Sequence, residues 1–253
     1  MKRILLSILL IYITIGLLLY VGQRSFIYFP TPEIKTNLET RIFNIENHKI
    51  KVTVLNKNKD KAILYFGGNA ENVDYNSGAF SNLFPEHTIY LVKYRGYGGS
   101  TGSPSEEAIY SDAIHIFDEL IQEHPSISVI GRSLGSGVAT YLASKKDIEK
   151  LVLITPFDSI QSVAQSQYPI FPMQILLKDK HDSISRVKDI KADTLIIAAE
   201  IDRIIKMPHT KRLVQEFKSQ VAFHVIEGVG HNDISDSPYY YPLLGRFLND
   251  EEL

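Results

Sequence analysis

Apolar positions run without interruption through the first stretch of the chain. Residues 4–21, ILLSILLIYITIGLLLYV, carry no charge and lie between Lys2-Arg3 and Gln23-Arg24. A segment of this length nearly crosses a hydrocarbon core, and it exceeds the roughly 7–15 residues of a signal-peptide apolar region. The pattern predicts an uncleaved signal anchor over residues 1–24 and a separate folded unit over 25–253, with a cleaved signal peptide as the alternative. Lys2 and Arg3 favour a cytoplasmic N-terminus and Arg24 opposes them, so the folded unit is expected on the non-cytoplasmic side of a single-pass membrane protein.

Beyond this segment the period changes. After a loop containing Pro30 and Pro32, TRIFNIE and KIKVTVL alternate apolar and polar residues, which predicts two strands joined near Asn47-His48. The runs AILYF (62–66), TIYLV (88–92), ISVI (127–130), LVLI (151–154), TLIIAA (194–199) and VAFHVI (221–226) are nearly continuous in apolar residues and are separated by helical stretches. Strands of that kind are buried on both faces. The fold class is therefore α/β, with a mostly parallel central sheet of about eight strands and helices on both sides. In one intervening helix, Ser103-Pro104-Ser105-Glu106 predicts a capping box with Ser103 as N-cap, Pro104 at the first helical position and Glu106 at the third. Ala108, Ile109, Ala113, Ile116, Phe117, Leu120 and Ile121 continue it at helical spacing, before Pro125.

Composition narrows the functional classes. A chain of 253 residues can bury one substantial core. Its formal net charge of −2 offers no electrostatic footprint for nucleic acid. It has no cysteine, which excludes disulfides, thiolate metal sites, a cysteine nucleophile and thiol lipidation. No metal or organic cofactor is implied.

The chemistry concentrates in GRSLGSG, residues 131–137, placed between an apolar strand and a helix. A serine hydroxyl needs a base, an orienting acid and donors for the oxyanion it generates. Glycines flanking Ser133 let the chain turn sharply and lift its Oγ above the sheet, with the Leu134 amide at the helix N-terminus. A purely structural glycine turn is the competing reading. Functional groups in parallel sheets collect in loops after the strands. After TLIIAA come Glu200 and Asp202; after VAFHVI comes EGVGHND with His231. The order Ser133, Asp202, His231 is that of a nucleophile, acid and base on such a sheet, with Glu200 and then Asp158 as competing acids. The loop after AILYF supplies Gly68, Asn69 and Ala70 as oxyanion donors beside Leu134.

The segments YFGGNAENV, YRGYGGSTGSPSEE, GRSLGSG, EIDRII and GVGHND, with SFIYFP after the apolar helix, resemble the α/β-hydrolase superfamily. More narrowly, they resemble its membrane-anchored branch of alpha/beta-hydrolase-domain, serine-aminopeptidase-like proteins. The resemblance covers essentially the whole chain. It implies the α/β-hydrolase fold with a short cap segment, and Ser133, Asp202 and His231 as a catalytic triad. It also implies an oxyanion hole from Leu134 and the loop at Gly68, Asn69 and Ala70. The sequence departs from that branch at Gly67, usually histidine, and at Glu71, usually glycine. It departs also at Lys93, usually acidic, at Ala199, usually glycine, and at Lys206, near which a proline is usual.

Between LVLI and TLIIAA, the residues Phe157, Tyr168, Phe171 and Met173 are expected to cover the serine and form an apolar acyl pocket, or else to fill core. The resulting expectation is a serine hydrolase acting on a carboxylic ester or thioester, with a lipid or acylated substrate near the membrane. A serine peptidase of the same fold and a membrane-tethered, catalytically weak binding protein are the alternatives. Oligomeric state is open.

Overall fold

The computed structural model describes residues 1–251. A single helix, α1 (Lys2–Ile27), precedes an eight-stranded sheet. The strands are β1 (Thr40–Ile45), β2 (His48–Leu55), β3 (Lys61–Phe66), β4 (His87–Val92), β5 (Ser126–Arg132), β6 (Lys150–Ile154), β7 (Asp193–Ala199) and β8 (Val221–Ile226). Their spatial order is β1-β2-β4-β3-β5-β6-β7-β8. β1, β2 and β4 pair antiparallel, and every pairing from β4 through β8 is parallel. Each apolar run recognised in the sequence is a strand.

The helices are α2 (Ser77–Leu83), α3 (Glu106–Leu120), α4 (Leu134–Lys145), α5 (Ile160–Gln167), α6 (Met173–Leu176), α7 (Met207–Gln215) and α8 (Tyr240–Leu248). Alternation along β3 explains how both faces of the sheet are covered. Leu64 and Phe66 point into the layer formed with Ile109 and Ile116 of α3, Val138 and Leu142 of α4, and Leu213 of α7. Ile63 and Tyr65 point into the opposite layer, with Phe80 of α2 and Tyr240 and Leu244 of α8. Burying each such side chain fully contributes about 1.5–3 kcal/mol, so the two layers supply a large share of what holds the sheet together.

Strand order reverses across β4-β3-β5, because β3 connects outward to β4 and the chain then returns to β5 on the other side. Loops after β3 and β5 diverge there and leave a crevice at the carboxyl edge of the sheet. α5 and α6, inserted between β6 and β7, form a short cap above that edge.

Two boundaries differ from expectation. The N-cap of α3 is Ser105, not Ser103: the Ser105 Oγ accepts the Ala108 N–H at 3.2 Å, and the helix starts at Glu106. Glu106 does not reach back to close a capping box. Its carboxylate accepts the Lys180 N–H and the Arg186 guanidinium, so tertiary partners displace the local one. The second difference is α1, which does not end at residue 24 but runs on to Ile27, where its last turns pack against the cap. The proposed division at residue 24 therefore cuts through a helix. Gln23 explains the continuity: it is buried, donates to the Leu176 carbonyl at 3.0 Å and accepts the Lys178 N–H at 2.6 Å.

Candidate active site

Ser133 sits between β5 and α4 with φ 49° and ψ −115°, a conformation that costs a non-glycine residue free energy and that only a fixed surrounding maintains. The surrounding is supplied by the two flanking glycines and by the Ser133 N–H, which bonds the Ile154 carbonyl at 2.9 Å. A Cβ on Gly135 would overlap the Phe66 carbonyl oxygen, and one on Gly131 would overlap the Gly135 backbone. The strand-to-helix turn can be this tight only because neither residue has a side chain.

His231 follows β8, and Asp202 follows β7, on neighbouring strands of the sheet. The Ser133 Oγ lies 2.8 Å from His231 Nε2, and His231 Nδ1 lies 2.7 Å from Asp202 Oδ2. Asp202 is held in place from its other side, since Oδ1 accepts the N–H groups of Ile204 and Ile205 at 2.8 and 2.7 Å. The structure thus brings Ser133, His231 and Asp202 into one hydrogen-bonded line. Glu200 is turned away, accepting the Gly228 N–H at 2.9 Å. Asp158 is engaged elsewhere: it faces His209 Nδ1 at 2.8 Å and Arg212 Nε at 2.8 Å. Burial raises the Asp158 carboxyl, but its bonds to His209, Arg212 and the Ser159 N–H more than offset this and hold it below its ordinary value. That cluster ties the base of the cap to α7.

The four expected oxyanion donors have different fates. Leu134 and Asn69 line the cavity over Ser133, and their N–H groups have no hydrogen-bond partner among the described residues. The Ala70 N–H bonds the Asn69 side chain at 3.1 Å. Gly68 is corrected: its N–H donates to Glu71 Oε2 at 2.6 Å and is not free for a ligand. Glu71 also accepts from the Tyr65 hydroxyl at 2.6 Å and from Asn76 at 2.7 Å. Burial first, then the adjacent Glu71 carboxylate, pushes the Tyr65 phenol well above its ordinary value, so it remains a donor. Glu71 therefore shapes the loop from below. Its partner across the site is Arg132, 3.8 Å away, which also donates to the Asn232 carbonyl at 3.2 Å and joins the loop after β3 to the one bearing His231. Sequence reasoning marked Glu71 only as a departure and did not single out Arg132. The other charged departures lie apart: Lys93 is buried and pairs with Asp74 at 2.8 Å, and Lys206 caps α7, with Pro208 two residues on.

A cavity of about 860 Å³ opens over Ser133. Phe157, Tyr168 and Met173 line it, with Val163 and Leu176 from the cap. Phe171 does not line it. The Phe171 ring stacks on Tyr12 of α1, with centroids 4.9 Å apart, because α1 offers it an aromatic face that a free-standing domain would lack. The opposite wall is α1 itself, through Leu19, Phe26 and Ile27. The same helix end is fastened to the loop after β3: Asn69 Nδ2 donates to the Ile27 carbonyl at 2.7 Å, and Asn69 Oδ1 accepts the Phe29 N–H at 2.9 Å. No group of three or more metal-ligating side chains is clustered among the described residues.

Residues 61–176 match the family model described as alpha/beta hydrolase fold. The chain is 35% identical over 169 residues to an uncharacterized protein of Mycobacterium tuberculosis, covering 64% of this chain and 60% of that one. The match thus spans about three fifths of the length of the first curated relatives. Over 267 residues it is 26% identical to protein bem46 of Schizosaccharomyces pombe, covering 93% of this chain and 88% of that one. A solved esterase of Pyrococcus furiosus superposes with a TM-score of 0.69 at 17% identity, over 88% of this chain and 99% of that one, a likeness of fold. Sheet order, the turn at Ser133 and these likenesses agree, and the chain has the alpha/beta hydrolase fold.

Proposed function

We propose that this protein is a serine hydrolase that cleaves a carboxylic ester or thioester through a covalent acyl-enzyme. The observation that carries the reading is the Ser133–His231–Asp202 line, with contacts of 2.8 and 2.7 Å, at the floor of a largely apolar cavity. His231, with its Nδ1–H directed at Asp202, presents the Nε2 lone pair to the Ser133 hydroxyl and takes its proton as Oγ attacks the carbonyl carbon. The tetrahedral oxyanion is received by the N–H groups of Leu134 and Asn69. Collapse expels the alcohol or thiol, which His231 protonates. Water, activated by the same imidazole, then attacks the acyl group and releases the acid.

An ester is favoured over a peptide by the walls. Leu19, Phe26, Val163, Met173 and Leu176 offer no partners for peptide N–H and C=O groups, whose burial without hydrogen bonds is costly. α1 is long and apolar enough to cross a membrane, and we assign it as the anchor, with the hydrolase domain following Ile27 on the non-cytoplasmic side. The test is labelling of the detergent-solubilised full chain by a fluorophosphonate. Wild type is expected to react and Ser133→Ala not to. A folded wild type that stays unlabelled would reject the activated serine and favour a binding role.

A further inference from the structure

The two longest stretches without Asp, Glu, Lys or Arg are residues 4–23 and 159–177. The first is α1. The second is the cap, and the structure lays it alongside the first. Arg24 meets Asp179 at 3.0 Å, Lys178 lies over the Tyr20 ring at 4.3 Å, and Tyr12 donates to the Ile170 carbonyl at 2.8 Å. From Arg24 back to Tyr12 is about 18 Å of helix at 1.5 Å per residue, so the cap follows α1 far along its apolar length. Where the two separate from charged residues, the cap exposes large apolar side chains: Ile170 is 71% and Ile175 76% accessible.

Most of the cap backbone is satisfied within the chain. Pro169 and Pro172 have no N–H, and of the eight N–H groups in residues 168–177 those of Tyr168, Phe171, Met173, Ile175, Leu176 and Leu177 have acceptors within the chain, leaving those of Ile170 and Gln174. Lipid offers a backbone no hydrogen bonds, so a segment entering it is favoured by internal acceptors of this kind. Arg24, Lys178 and Lys180 cluster at the end of the cap nearer the sheet, where anionic or zwitterionic headgroups would meet them.

We propose that residues 168–177 enter the bilayer beside α1, and that the cavity between them opens sideways to lipid, so that the substrate is an ester whose acyl chain already resides in the membrane. The acyl chain slides between Leu19 and Phe26 on one side and Met173 and Leu176 on the other, bringing the carbonyl to Ser133. Insertion rests on α1 being a membrane helix, and the substrate class rests also on the hydrolase reading above.

The native chain has no cysteine, so single-cysteine variants of the full protein can carry an environment-sensitive fluorophore at chosen sites. Ile170→Cys, Ile175→Cys, Ile13→Cys on α1 and Glu86→Cys on the sheet's far end are reconstituted in phosphatidylcholine vesicles containing doxyl-labelled lipid. Labels at 170 and 175 are expected to be quenched by the doxyl lipid as the label at 13 is, and the label at 86 by aqueous iodide only. Iodide quenching at 170 and 175, with 13 still in lipid, overturns insertion of the cap. Iodide quenching at 13 as well removes the anchor and the proposal with it. Ile170→Asp/Ile175→Asp should slow hydrolysis of a long-chain ester held in vesicles by about tenfold or more, and leave a short soluble ester unaffected. Equal loss on both esters, or none on either, overturns the lateral route. Wild type that hydrolyses neither, with its cap labels in lipid, rejects the hydrolase reading and leaves insertion supported.

Discussion

Replacing Asp202 by asparagine tests the proposed chemistry with almost no change of shape. Asp202 is anchored on both oxygens: Oδ1 holds the N–H groups of Ile204 and Ile205, and Oδ2 faces His231 Nδ1 at 2.7 Å. An asparagine must choose which side its NH₂ occupies. Turned toward Ile204 and Ile205, it would leave the part-buried Ile205 N–H without an acceptor, at about 1–3 kcal/mol, while the exposed Ile204 N–H could turn to water. Turned toward His231, it keeps both bonds and donates to Nδ1. The second orientation wins by about 1–3 kcal/mol. His231 then carries its proton on Nε2, aimed at the Ser133 Oγ it should deprotonate. Turnover of a soluble ester is expected to fall by about 1,000- to 10,000-fold, with the thermal unfolding midpoint in detergent nearly unchanged. Glu200→Gln, which touches only the Gly228 N–H, should retain near-normal rates. Initial-rate assays of the two variants beside wild type decide the matter. Asp202→Asn within tenfold of wild type, or a larger loss in Glu200→Gln, would refute the tautomer argument.

His181 supplies a pH dependence of stability. It is fully buried between the hydroxyls of Tyr28 and Tyr110, at 2.9 and 3.0 Å, and burial pulls its imidazole from 6.5 down to about 4. The unfolded chain therefore takes up a proton before the folded one as pH falls. The contribution of the neutral ring is whole above pH 6.5 and lost toward pH 4, to the extent of about 3 kcal/mol. Urea unfolding in detergent, followed by circular dichroism, should show wild type losing that much more stability than His181→Asn between pH 7 and 4; equal slopes would reject the assignment. Gly135→Ala should cost about 3 kcal/mol or more, because its Cβ meets the Phe66 carbonyl, whereas Gly78→Ala in α2 meets nothing and should be neutral or slightly stabilising. Comparable unfolding midpoints for the two alanine variants would contradict the packing at the turn.

The features readable in the sequence are those fixed by local pattern. AILYF, LVLI and TLIIAA could be read as buried strands because a sheet covered on both faces selects apolar residues at every position. Ser133 could be read from its flanking glycines, and Asp202 and His231 from their places after strands. The missed features depend on partners distant in sequence. Ser103 and Ser105 both precede Glu106, and only the engagement of Glu106 with Lys180 and Arg186 distinguishes a box from a single cap. Phe171 has the composition of a pocket residue, yet its face is occupied by Tyr12. Gly68 has a free amide in any reading that omits the Glu71 carboxylate folding back beneath it.

The attachment of α1 to the loop after β3 has a mechanical consequence. Asn69 holds the Ile27 carbonyl and the Phe29 N–H and lines the cavity at Ser133, so the end of the helix is fastened to that loop. A helix of 26 residues is about 39 Å long, against a hydrocarbon thickness of about 30 Å, and in a bilayer it relieves such a mismatch by tilting. Under the proposed anchoring, tilt of the helix would carry the fastened loop with it. Bilayer thickness would then set the height of Ser133 above the plane where ester bonds lie. Two membranes offering the same lipid at different thickness would be hydrolysed at different rates.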